Sequence, residues 1–99
     1  MAYFFARVEL HDTEYDDDVY TILHEELAER GFKREFFSIN KKLPRATYLM
    51  KAPEGMPTTG AVRLIKQAVF ETNKTASIIA VKFESKEDIQ ASELENISE

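Results

Sequence analysis

Tyr3-Phe4-Phe5-Ala6-Arg7-Val8-Glu9-Leu10, residues 3–10, carries two unlike sets of side chains. Successive side chains of a strand point to opposite faces. Phe4, Ala6, Val8 and Leu10 then form one uniformly apolar face, and Tyr3, Phe5, Arg7, Glu9 and His11 form the other. The first set belongs against a core. The second mixes aromatic rings with charge and belongs toward solvent or a partner.

The chain outward from this strand alternates in type. Residues 14–30 keep Tyr15, Val19, Ile22, Leu23 and Leu27 at a three-to-four spacing, which predicts a helix. Asp12 or Thr13 is placed to cap it, acidic residues crowd its first turn, and Gly31 suits its left-handed end. Residues 32–39 read as a second strand, Asn40-Lys41-Lys42 as a turn, and 45–52 as a third strand paired with the second. Residues 53–59, with Gly55 and Pro57, form a loop, and Thr58 or Thr59 can cap a second helix striped by Ala61, Val62, Ile65, Ala68 and Val69. Residues 76–84 read as a fourth strand. This β-α-β-β-α-β order predicts an α+β, ferredoxin-like two-layer sandwich over residues 1–84. Its four-stranded antiparallel sheet would carry both helices on one face and leave the other open. Residues 85–99 hold five acidic residues, one lysine and no aromatic, and are expected to fray as an acidic tail.

Bulk composition narrows the classes of function. Ninety-nine residues make one domain, and a hydrophobic share of 43% supports a core. The absence of cysteine removes disulfides, thiolate zinc sites and thiol nucleophiles. No apolar run has the length of a membrane span and no signal-peptide pattern opens the chain, so the cytoplasm is the expected compartment and no membrane partner is expected. A net charge of −5 gives no global attraction for nucleic acid, so DNA is not expected and any RNA contact needs a local basic patch.

Three places offer chemistry. On the open face, Tyr3, Phe5 and Arg7 with Arg45, Thr47, Leu49 and Lys51 combine rings that stack bases with cations that hold phosphate. The same apolar content equally suits burial by a second copy in a homodimer. At the end of the first strand, the His11 imidazole can move a proton near neutral pH, and Asp12 with Glu9 or Glu14 would admit magnesium as a cofactor. The bland alternative there is a solvated strand end and a helix cap. His24, alone on its helix, has no second ligand at metal spacing, so no metal site is assigned. Lys33, Arg34, Lys41, Lys42 and Arg45 make the densest basic stretch, suited to a phosphate backbone or to guarding an edge strand.

Arg7-Val8-Glu9-Leu10-His11, Tyr20-Thr21-Ile22-Leu23-His24 with Leu27 and Gly31-Phe32, and Leu43-Pro44-Arg45-Ala46-Thr47-Tyr48 resemble, in order and spacing, the GhoS-like family, the antitoxins of type V toxin–antitoxin systems. The resemblance covers residues 3–84. It implies a ferredoxin-like fold and an endoribonuclease acting on single-stranded messenger RNA. Similar CRISPR-associated nucleases end the first strand on an aspartate. Here His11 stands at that point and Asp12 follows, and a one-residue shift turns a side chain to the opposite face. A non-catalytic dimerisation or protein-interaction module is the alternative reading.

Overall fold

The computed structural model describes residues 2–37 and 39–97. Ser38, inside the predicted second strand, and Ser98 and Glu99 of the tail lie outside the described residues, as does Met1. The element order is β1 (Ala2–Leu10), α1 (Asp18–Glu29), β2 (Thr47–Ala52), α2 (Thr58–Phe70) and β3 (Ala76–Phe83), followed by a 3-10 turn at Lys86–Asp88. β1 is central, antiparallel to β2 on one side and to β3 on the other. β2, α2 and β3 therefore form a crossover unit whose two parallel strands are split by β1.

The four-stranded ferredoxin-like sheet expected from the sequence is corrected to three strands in an α+β fold. The predicted second strand survives only as isolated bridges, Lys33 to Leu49 and Glu35 to Lys42. Lys33 and Leu49 exchange both backbone bonds, at 2.9 and 2.8 Å, and pairing with β2 stops there. The cause is backbone conformation. Phe37 (φ 49°) and Asn40 (φ 63°) occupy the left-handed region, which a ladder cannot accommodate. The chain instead curls back on itself, with Phe36 N–H bonded to Lys41 C=O at 2.8 Å and Leu43 N–H to Arg34 C=O at 2.7 Å.

The core lies on the expected side of β1. Phe4, Ala6, Val8 and Leu10 pack with Leu23 and Leu27 of α1, with Ala61, Ile65, Ala68 and Val69 of α2, and with Tyr48 and Met50 of β2. Phe4, Val8, Leu23, Leu27, Phe32, Tyr48 and Ile65 are its largest fully buried side chains, each worth about 1.5–3 kcal/mol relative to exposure.

α1 begins later than the hydrophobic spacing suggests. Its cap is Asp17, whose carboxylate accepts from Val19 N–H at 2.9 Å, while Asp12 sits in a turn with φ 53°. Tyr15 remains before the helix and folds its ring against Tyr20. The far end is a Schellman motif: Phe32 N–H bonds Leu27 C=O at 2.9 Å and Gly31 N–H bonds Ala28 C=O at 3.0 Å. Gly31 has φ 93°, the conformation this motif requires and L side chains avoid. α2 starts without a side-chain cap, and Thr58 and Thr59 lie inside it.

Candidate functional site

The outer face of the sheet is built by register. Tyr3 stands between Lys51 and Phe83, Phe5 between Leu49 and Val81, Arg7 between Thr47 and Ile79, and Glu9 beside Ser77. This face has two halves of different character. At the Tyr3 end the rings of Tyr3 and Phe83 stack with centroids 5.3 Å apart, and Phe37 meets Tyr3 edge-on at 5.4 Å. Phe37 reaches this position because its left-handed backbone throws it off the edge and over the sheet. At this end Tyr3 and Leu49 are 8% and 6% exposed. Further along, Ile79 and Val81 of β3 remain 69% and 56% exposed.

A cleft of about 380 Å³ opens beside Tyr3. Phe37 and Leu49 contribute apolar wall, and Lys33, Lys51 and Lys86 bring three ammonium groups to it, against one carboxylate, Glu35. Lys86 Nζ lies 5.2 Å from the Phe37 ring centroid, a cation–π distance. Neither Phe37 nor Lys86 is on a regular element that alternation could place; the local signal was the Phe36-Phe37 pair in a stretch bounded by Lys33-Arg34 and Lys41-Lys42.

The other residues singled out in the sequence are dispersed. Arg7 and Glu9 bond each other at 2.9 Å, both more than half exposed, a pair worth at most about 1 kcal/mol. Arg45 does not join this face. Ala46 takes φ 61°, which breaks the alternation before β2 begins, and the Arg45 guanidinium lies 5.4 Å from the Tyr15 ring instead. His11 is eight residues from Tyr3 along β1, about 26 Å at strand rise. Its Nδ1 lies 2.7 Å from Thr75 Oγ1 and its Nε2 2.8 Å from Ser77 Oγ, so both ring nitrogens are engaged by hydroxyls. Glu9 is turned to Arg7, and no group of three His, Cys, Asp or Glu side chains that could hold a metal occurs among the described residues.

A second titratable cluster emerges on the α1 side. His24 shares a 3.0 Å hydrogen bond between its Nδ1 and the Tyr48 hydroxyl, with the rings of Tyr15 and Tyr20 about 6 Å away. Burial, reinforced by the nearby Arg34 charge, pulls the His24 pKa down from 6.5 to about 4. Burial pushes the Tyr48 hydroxyl well above its ordinary value. The Tyr20 hydroxyl accepts from Leu10 N–H at 2.8 Å, completing the end of β1. The Tyr20-x-x-x-His24 spacing carried the signal for this cluster; the contribution of Tyr48 comes from across the fold.

The C-terminal segment reaches the remaining basic residues. Lys42 N–H bonds Glu95 C=O at 3.0 Å, Ile97 N–H bonds Asn40 C=O at 3.2 Å, and Lys42 Nζ pairs with Glu95 Oε1 at 3.1 Å. No helix is long and apolar enough to cross a membrane among the described residues. Comparison with protein-family models, with curated proteins and with solved structures finds no match to this chain.

Proposed function

We propose that this chain binds single-stranded RNA through the cleft beside Tyr3. The observation that supports it is the convergence of Lys33, Lys51 and Lys86 on an aromatic and apolar wall that includes Phe37. Single-stranded nucleic acid is held by that pairing of chemistries: ammonium groups neutralise the backbone while a ring accepts a base face. The cleft answers the objection raised by a net charge of −5, because its own rim is cationic. A strand leaving the cleft along β1 passes Phe5 and Arg7 before it meets His11. RNA cleavage of the kind the GhoS-like resemblance implies would fall to that imidazole, with Ser77 and Thr75 orienting it.

The test is fluorescence anisotropy with a labelled single-stranded RNA of mixed sequence at low salt, against the same sequence as a duplex. Lys51→Glu with Lys86→Glu is expected to weaken single-strand binding by about tenfold or more and to flatten its salt dependence. An unchanged affinity in that variant, or no binding by the unaltered protein, refutes the reading. A gel of the same RNA, with His11→Ala alongside, reports cleavage.

Self-association is the second reading, favoured by Ile79 and Val81. They stand exposed on β3, which has a strand neighbour on one side only among the described residues. Alternation of the ladder directs the backbone groups of Ile78 and Ala80 outward, available to a second copy. Light scattering of the unaltered chain and of Ile79→Lys with Val81→Lys separates this reading from the first: a monomer in both refutes it.

A further inference from the structure

Part of the densest basic stretch of the chain, though exposed, lies beside the chain's own tail. Arg34, Lys42 and Arg45 line a cleft of about 430 Å³ whose opposite wall is the chain's own acidic segment, with Glu93, Leu94 and Glu95. Glu93 adopts φ 56°, a left-handed bend just before the residues that dock. Beyond it the segment lies antiparallel to 40–42. Two backbone hydrogen bonds hold it, with the Lys42–Glu95 pair and a hydrogen bond from Lys41 Nζ to Asn96 Oδ1 at 2.5 Å. Leu94 and Ile97 are its two half-buried apolar anchors.

We propose that residues 92–97 act as an intramolecular competitor, occupying a phosphate-binding ridge of Arg34, Lys41, Lys42 and Arg45 that extends the RNA cleft. The inference rests on the RNA reading for the identity of the ligand. Charge complementarity selects the occupant: the Glu95 carboxylate pairs with Lys42 where a phosphate would sit, and Glu93 lines the same cleft. Continuity supports the extension. Lys33 lines the cleft beside Tyr3 and also a cleft of about 580 Å³ that Arg34, Lys42 and Ile97 share with Glu25, so Lys33, with Glu35 beside it, joins the two surfaces. The anchorage suits displacement. The ion pair is exposed, with Lys42 at 50% and Glu95 at 78%, and such contacts belong to the low-stability end of a structure. A ligand for the ridge binds only molecules whose tail is undocked, so a tail docked about nine-tenths of the time weakens apparent affinity about tenfold.

The test keeps the full chain. Glu93→Gln with Glu95→Gln removes the mimicry but also raises the net charge, which alone favours polyanions. Leu94→Ser with Ile97→Ser releases the anchors with no change in charge and is the discriminating variant. Each is titrated at low salt with labelled single-stranded RNA and with inorganic polyphosphate, while amide shifts of Lys42 and Ile97 are followed in the unaltered protein. Tighter RNA binding by L94S/I97S, about threefold to tenfold, with the Ile97 amide moving toward a random-coil position on titration, is the expected result. Equal RNA affinities with a still Ile97 amide overturn the competitor while RNA binding stands. Polyphosphate that displaces the tail where RNA does not bind refutes the RNA reading and keeps the competitor. Failure of both polyanions to displace the tail or to favour L94S/I97S overturns it.

Discussion

Lowering the pH should destabilise this protein through one identifiable side chain, His24. Its ring is half-buried against Tyr15, Tyr20 and Tyr48, and Arg34 adds a cationic neighbour, so its folded pKa falls from 6.5 to about 4. The sign follows from linkage. The folded chain binds fewer protons at His24 than the unfolded chain between those two values, so stability is full above about pH 6.5 and drains as pH falls toward 4. Going from pH 8 to pH 5 with those two values gives about 2 kcal/mol, and screening at a half-buried ring reduces this to about 1 kcal/mol. Carboxylates titrate in the same range, so the measurement is a difference between the unaltered protein and His24→Gln, which cannot take the proton. Urea midpoints at pH 8 and pH 5 supply it. With a slope near 1.5 kcal/mol per molar, the unaltered chain should lose about 0.7 M more in midpoint than the variant. Parallel losses in the two proteins, or a His24 ring that titrates by NMR near pH 6.5, would refute the reasoning.

Three further outcomes follow from a glycine, a helix cap and a hydroxyl. Gly31→Ala should cost about 1–2 kcal/mol in urea unfolding, because a Cβ there meets only the Met50 side chain at 3.5 Å and the penalty is the left-handed φ itself. Asp17→Ala should cost about 1 kcal/mol by the same measurement while Asp12→Ala costs a few tenths, since Asp17 carries the cap of α1. Tyr48→Phe should raise the His24 pKa little, because burial is the larger cause of its depression, and an NMR titration reads this directly.

The parts of the fold legible in the sequence are those where one periodicity runs unbroken. Residues 6–10 alternate apolar with charged, and β1 lies with Phe4, Ala6, Val8 and Leu10 inward, as alternation requires. α2 keeps its stripe of Ala61, Ile65, Ala68 and Val69. The parts that were not legible are those where a non-glycine residue takes positive φ. Phe37, Asn40, Ala46 and Glu93 each do so, and nothing in Phe or Ala announces it. Phe37 and Asn40 dissolve the predicted second strand, Ala46 shortens the third and turns Arg45 away, and Glu93 bends the tail back.

The same four bends determine which candidate site residues can act together. Tyr3 and Lys51 face each other because β1 and β2 are regular there, so their pairing was readable from alternation once the register was known. Arg45 shares a cleft with Glu93 and Glu95 because Ala46 and Glu93 each reverse their chain at that point. A sequence reading that assumes extended backbone through Ala46 puts Arg7 and Arg45 on one surface and finds a single binding face. The left-handed turn divides the cations into a set at Lys33, Lys51 and Lys86 beside Tyr3 and a set at Arg34, Lys42 and Arg45 beside the tail, all six of them exposed. The tail lies against one set and not the other, with Glu95 paired to Lys42, so displacing it would open the ridge further and leave the cleft beside Tyr3 unchanged.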